Sequence, residues 1–165
     1  MDIPKITFSK VSSTIEKDFI QSCFKSIEYR DYILETPSLK GEELIIYSNE
    51  KMIGTYNPNI SEKTGVKVAT PSLYLVIRMS KSTGLVLGEM IYHLFVKREV
   101  ELIRLPIYSN NNYVISMLKR FGLKFDGVFE QGKIINEKKI DIYYFSIRYE
   151  EFKKLKETFQ SEYIR

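Results

Sequence analysis

Ser80-Lys81-Ser82-Thr83-Gly84-Leu85-Val86-Leu87-Gly88 is the stretch from which the fold is read. It follows an apolar run with the character of a strand, Leu73-Tyr74-Leu75-Val76-Ile77-Arg78-Met79. After it, Leu87, Met90, Ile91, Leu94 and Phe95 recur at the i, i+3, i+4 spacing of one helix face. A strand that passes through a loop of small residues into a helix makes a natural anion site. The first N–H groups of a helix have no acceptor within it, and the macrodipole adds partial positive charge there. Small side chains also let a phosphate approach the backbone. The stretch is therefore read as a cradle for a phosphate-bearing ligand. Gly84 and Gly88 would equally serve close packing of helix on sheet, with nothing bound.

The totals bound this reading. With 165 residues the chain is expected to form a single domain, 1–165, around one sizeable core. Hydrophobic residues make up 44%, which excludes a disordered chain. Lys and Arg number 25 against 21 Asp and Glu, a net charge of +4. That balance suits an anionic cofactor and is too even for a nucleic-acid binder. The 12 Tyr and 10 Phe fall mostly in strand-like runs, where core packing accounts for them. The one cysteine, Cys23, lies on the apolar face of an expected helix, and the one histidine, His93, is expected to pack within a helix. Neither has a partner of its own kind, so the expectation is no disulfide and no metal. No run reaches membrane-spanning length and no leader pattern is visible, so a soluble, cytoplasmic protein without membrane contact is expected.

Working outward, Ile6 to Val11 reads as an opening strand, and Ser13-Thr14-Ile15-Glu16 fits the Ser-x-x-Glu box of a helix start. Ile15, Phe19, Ile20, Cys23, Phe24 and Ile27 then form one apolar face. A second helical piece carries Tyr29, Tyr32 and Ile33. Leu44–Tyr47 and Met52–Tyr56 flank a polar turn as a hairpin, and residues 57–70 read as a long loop or irregular strand extension. Glu101–Tyr108 is the fifth strand. Pro106 inside it cannot donate to a ladder, so one side must be unpaired or bulged, and a ligand could enter that gap. Ser109-Asn110-Asn111-Asn112 starts a helix that Gly122 stops. Two strands, Lys124–Ile135 and Lys139–Arg148, and a helix bearing Phe152, Leu155 and Phe159 close the chain. The order fits one mixed α/β sheet with helices on both faces.

That order, with three local patterns, resembles the GNAT family of acyl-CoA N-acyltransferases over nearly the whole chain. Lys81-Ser82-Thr83-Gly84-Leu85-Val86 is similar to the family's Gln/Arg-x-x-Gly-x-Gly/Ala, with Lys81 a cationic stand-in and Val86 a departure. Asn111, then Leu118-Lys119-Arg120-Phe121-Gly122, is similar to the family's Asn…Leu-x-Lys-x-Gly-Phe. Gly127-Val128-Phe129-Glu130, then Asp141 and Tyr144-Phe145-Ser146-Ile147, resembles the tail of the branch that acetylates the N-termini of ribosomal proteins.

The resemblance implies a mostly antiparallel sheet splayed between its fourth and fifth strands, Leu73–Met79 and Leu102–Tyr108. It implies that acetyl-CoA is the cofactor, with its pyrophosphate on Lys81, Ser82, Thr83, Gly84, Leu85 and Val86. The pantetheine arm would lie in the splay beside Ile77 and Met79, helped by Asn111. An amine acceptor, a peptide N-terminus or a small molecule, would attack the thioester directly. Such chemistry needs a deprotonated amine and an acid for the departing thiolate. The family's Tyr acid would fall at Leu118, and the branch's Ser at Val114, so both are missing. Tyr108 and Tyr113 are the nearest hydroxyls and are taken as the acid candidates. Glu89 and Glu101 are the visible carboxylates, each equally readable as a solvated or paired structural group. The expected function is an acetyl-CoA-dependent N-acetyltransferase. The alternative is an inactive relative that senses CoA or binds a protein, and homodimerisation is left open.

Overall fold

In the computed structural model of the chain, residues 4–25, 42–76 and 81–162 are described. The first half runs β1 (Ile6–Lys10), α1 (Thr14–Lys25), β2 (Leu44–Ser48), β3 (Lys51–Asn57), β4 (Ile60–Ser61), β5 (Val68–Ala69) and β6 (Ser72–Leu75). The second half runs α2 (Lys81–Tyr92), β7 (Leu102–Tyr108), α3 (Asn112–Arg120), β8 (Lys124–Ile135), β9 (Lys138–Arg148) and α4 (Tyr149–Glu162). A π-helical turn, His93–Lys97, prolongs α2.

Local chemistry sets most of these boundaries. Ser13 and Glu16 close a reciprocal box at the start of α1. The Ser13 N–H donates to Glu16 Oε2 at 2.8 Å, and the Glu16 N–H donates to Ser13 Oγ at 3.2 Å. Asn49 and Glu50 take the left-handed conformation (φ 46° and 68°) that a two-residue hairpin turn between β2 and β3 requires. Gly122 (φ 73°) ends α3 as expected, and its N–H donates to the Lys119 carbonyl.

The strands form two hydrogen-bonded sheets, β1-β2-β3-β6 and β4-β5-β7-β9-β8. Every pairing is antiparallel except β5 with β7. β5 and β6 are two parts of one extended run, Val68 to Leu75, broken at Thr70-Pro71. That run leaves one sheet and enters the other. Residues 57–70, read from the sequence as a loop or strand extension, hold the short strands β4 and β5.

One apolar core runs from β1 to α4. Leu73 and Leu75 of β6 and Leu105 and Ile107 of β7 meet Leu87 and Met90 of α2 within it. Val114 and Leu118 of α3 and Phe152 of α4 belong to the same core. On the opposite face, Tyr74 of β6 packs with Cys23 and Phe19 of α1. Helices therefore cover both faces of a mixed, mostly antiparallel α/β fold, as the element order implied.

Two expectations need correction. The stretch from Lys81 is helix, not loop: α2 begins there, about two turns earlier than the apolar spacing from Leu87 indicated. Val86 and Leu87 are both fully buried, and anchoring them in the core outweighs the weak helix propensity of Ser82, Thr83 and Gly84. The fourth strand ends at Leu75, and Val76 is an exposed bend. The helical piece expected around Tyr29 to Ile33, and the wall residues Ile77 and Met79, lie outside the described residues.

Candidate functional site

β5 and β7 pair in parallel through Val68 with Leu102 and Ala69 with Ile103. Beyond that point the two edges part. Among the described residues β6 pairs only with β3, from Ser72 opposite Asn57 to Leu75 opposite Gly54. β7 pairs only with β9 along Arg104 to Tyr108. Among the described residues no ladder joins β6 to β7, so a V-shaped gap opens toward their carboxyl ends. Pro71 stands where the run turns away, and Pro106 stands within β7 opposite Tyr144. Neither has an N–H to offer a second ladder, which is the physical content of the gap expected at Pro106.

Each strand flanking the gap leads at its carboxyl end into a helix. Because the two run parallel, α2 and α3 both begin on that side, where open α/β sheets receive ligands. The first turn of α2 holds no acidic residue. The N–H groups of Lys81, Ser82 and Thr83 have no acceptor within the helix, and Gly84 closes that turn without a side chain. Thr83 is 2% exposed, and its Oγ1 is a buried polar atom with no hydrogen-bond partner. A buried hydroxyl left unpaired costs about 1–3 kcal/mol, and an anion at the helix end would satisfy it. Leu85 and Val86 were expected to offer amides as well. Their N–H groups instead bond back to residues 81 and 82 in the helix, so these two serve packing.

At the end of β7, Tyr108 is 3% exposed and packs with Ile135 and Ile142. Asn111 caps α3, its Oδ1 accepting the Val114 N–H at 3.4 Å. Tyr113 lies in the first turn of α3 and is 36% exposed. The gap, the first turn of α2, Asn111 and Tyr113 thus share one side of the sheets, whereas the Tyr108 side chain is held in a separate apolar cluster. Leu118 and Val114, where the resemblance looks for Tyr and Ser, are fully buried in the core.

The ionisable groups divide clearly. Glu101 Oε1 accepts the Lys67 N–H at 3.0 Å, so it fastens the entry of β5 to β7. Glu89 is half-buried on α2, and desolvation raises its pKa. His93 packs against Tyr56 and Phe8, with Nδ1 3.4 Å from the Tyr56 hydroxyl, and burial lowers its pKa. It is a packed helix residue, as expected. Glu43 went unnoticed in the sequence. Its carboxylate accepts hydrogen bonds from Thr55 Oγ1 at 2.6 Å and Asn57 Nδ2 at 3.1 Å. Desolvation nevertheless raises its pKa. No local pattern marks it, because its partners lie on the neighbouring strand.

No protein-family model matches the sequence, and no curated protein matches it. Solved structures do. A spermidine N-acetyltransferase from Vibrio cholerae, in complex with CoA and spermine, superposes with a TM-score of 0.73 at 13% identity, over 89% of this chain and 97% of that one. The chain has the GNAT fold. A GCN5-related N-acetyltransferase from Brucella melitensis gives a TM-score of 0.70 at 16% identity, over 94% of this chain and 81% of that one. An N-acetyltransferase from Staphylococcus aureus Mu50 gives 0.65 at 14% identity, over 87% and 97%. In GNAT terms, β6 and β7 are the strands that part and α2 is the helix at their open end. Among the described residues, no helix is long and apolar enough to cross a membrane.

Proposed function

We propose that this chain is an acetyl-CoA-dependent N-acetyltransferase that passes an acetyl group directly to a primary amine. The observation that carries the reading is the orphaned Thr83 hydroxyl, buried in the acid-free first turn of α2 beside the gap between β6 and β7. The donor set there, three backbone N–H groups and one hydroxyl, suits a pyrophosphate. Lys81, Ser82, Thr83 and Gly84 would hold it, and the edges of β6 and β7 would hold the pantetheine arm, with Asn111 beside it. Acetyl-CoA supplies the acyl group already activated as a thioester. Tyr113 is assigned as the acid that protonates the departing thiolate. Tyr108 is assigned a packing role.

The acceptor is a primary amine. The tail resemblance favours a peptide N-terminus. The Vibrio cholerae neighbour, a spermidine N-acetyltransferase in complex with CoA and spermine, favours a small polyamine. The test is a thermal shift with acetyl-CoA, followed by release of free thiol against a panel of peptides and polyamines. Acetyl-CoA at millimolar concentration is expected to raise the melting temperature by mass action, and fragments lacking the pyrophosphate far less. No shift would end the reading.

A second reading rests on Leu118 and Val114. Both are buried in the core, so the positions where the resemblance looks for an acid are apolar packing positions. A CoA-binding sensor would show the thermal shift and consume no acetyl-CoA with any amine.

A further inference from the structure

We propose that Glu43 is the group that receives the ammonium form of the acceptor and removes its proton. This inference rests on the acetyltransferase reading and names the base that the sequence left unassigned.

The argument begins with strand register. Glu43 directly precedes Leu44, which pairs with Tyr56. Its carboxylate is bonded to Thr55 and Asn57, two residues apart on β3 and therefore on one face of the sheet. Asn57 pairs with Ser72, and Thr55 pairs with Tyr74. Directly paired residues share a face, and Tyr74 on this face packs with Cys23 of α1. Glu43, Asn57 and Ser72 therefore form a row across β2, β3 and β6 on the α1 face. Ser72 ends that row and is the first β6 residue past the Ala69–Ile103 pair.

The gap between β6 and β7 is narrow at Ala69 and Ile103 and opens toward the first turn of α2. A cofactor with its phosphates at α2 and its arm in the gap would bring its far, reactive end toward the narrow end, beside Ser72. On the other face, Leu73, Leu75, Leu105 and Ile107 are closed off by α2 and α3. An acceptor must then approach from the α1 face, where the row lies. Two strand spacings, about 10 Å, separate the backbones of Glu43 and Ser72. The Glu43 side chain and an amine, or a bridging water, span that distance.

Glu43 suits the task chemically. It is only partly buried, so a substrate can reach it. Asn57 and Thr55 are 1% and 2% exposed, so they hold the carboxylate in one orientation. Among the described residues, the other titratable and charged groups on this face include Tyr74 of β6, Cys23 of α1, whose thiol burial pushes up to about 11, the hydrogen-bonded Tyr47–Glu16 pair that joins β2 to α1, and Arg104 of β7 across the gap. Glu42, next in the chain, pairs instead with Arg98 at 2.8 Å. Desolvation raises the pKa of Glu43 despite both hydrogen bonds, which makes it a better base than an exposed carboxylate. The proton count closes. The ammonium gives one proton to Glu43, which passes it to solvent. The amine attacks the thioester carbonyl as the C–S bond breaks, and its second proton ends on the thiolate. The substrate class implied is an amine that arrives charged.

The test measures thiol release by the native protein, Glu43→Gln and Thr55→Val, with acetyl-CoA and a panel of peptides and diamines, across pH. Glu43→Gln is expected to lower kcat/KM for the amine about 100-fold or more and to leave the KM for acetyl-CoA unchanged. Thr55→Val removes a hydrogen bond that stabilises the carboxylate, so the acid limb of kcat/KM is expected to move to higher pH. A native protein that turns over amines, with a Glu43→Gln variant that keeps its rate, would overturn this assignment alone. If Glu43→Gln does not fold, an acid limb unmoved by Thr55→Val overturns it equally. A native protein that binds acetyl-CoA and acetylates no amine overturns the parent reading and this assignment together.

Discussion

Ala69 pairs with Ile103, and Ser72, three residues on, pairs with Asn57 on the opposite side. Within those three residues the chain changes sheets. The consequence, among the described residues, is a wedge with two walls of unpaired backbone, one from β6 and one from β7. An extended amide-bearing arm can use such walls as a strand would, and the proposed function gives the split that role. Proline at 71 and 106 limits how far the walls could close on each other.

Thr83 gives the most direct prediction. Replacing it with Val removes a buried hydroxyl that has no partner, so the free protein is expected to be unchanged or up to about 1 kcal/mol more stable. If that hydroxyl meets a phosphate, acetyl-CoA affinity falls by about 1.5–3 kcal/mol, roughly 10- to 150-fold. Urea melts and a CoA titration measure the two effects separately. Opposite signs on stability and affinity identify a ligand-facing group, and a loss in both identifies a packing group.

Gly54 tests the wall. It pairs with Leu75, and a Cβ there would run into the Tyr74 carbonyl oxygen and come within 2.8 Å of a Leu75 methyl. Gly54→Ala must therefore push β6 away from β3. The expected cost is about 2–3 kcal/mol, and acetyl-CoA should bind more weakly than to the native protein under conditions where both are folded. Chemical denaturation and calorimetric titration check the pair of effects.

How far the sequence disclosed this arrangement depends on the range of the interaction. The Ser13–Glu16 box, the Gly122 stop and the apolar face of α2 from Leu87 onward were legible, because each is a local pattern of the helix itself. The start of α2 was not. Ser82, Thr83 and Gly84 read as loop formers, and only the burial of Val86 and Leu87 makes them helical. The strands β4 and β5 are two residues each, too short to show a period. The gap itself was legible through Pro106. Glu43 was not, because its two partners are 12 and 14 residues away and become neighbours only when the hairpin forms.

Glu16 predicts an acid-sensitive start to α1. The Tyr47 hydroxyl donates to it at 2.6 Å, and the Ser12 and Ser13 N–H groups add to that, holding its pKa at about 2 against an ordinary 4.5. A depressed carboxylate pKa contributes stability that is full above the unfolded value and lost as pH falls through the folded one. The contribution should therefore be constant at neutral pH and disappear between about pH 4.5 and pH 2. Glu16→Gln should lower the melting temperature at pH 7 and lose that difference at pH 2. Ser13→Ala, which removes the cap alone, should cost about 1 kcal/mol at neutral pH. Melting curves across pH distinguish the two variants.

Tyr113 separates an enzyme from a sensor. It lies in the first turn of α3, on the side where the gap opens, and 36% of its surface is exposed. Tyr108 is 3% exposed among Ile135 and Ile142, where its ring supports the end of β7. If Tyr113 protonates the departing thiolate, Tyr113→Phe removes a general acid, a contribution of about 10²- to 10⁴-fold. The loss should appear in kcat, with acetyl-CoA affinity nearly unchanged, because the ring and its packing remain. Tyr108→Phe should act on stability, with turnover close to native when both proteins are folded. An activated thioester with a lower-pKa leaving thiol should rescue Tyr113→Phe in part, since such a thiolate departs without a proton. Equal rates for the native protein and Tyr113→Phe on both thioesters would remove Tyr113 from the mechanism. Tight acetyl-CoA binding without turnover in the native protein would leave the sensor as the function of this fold.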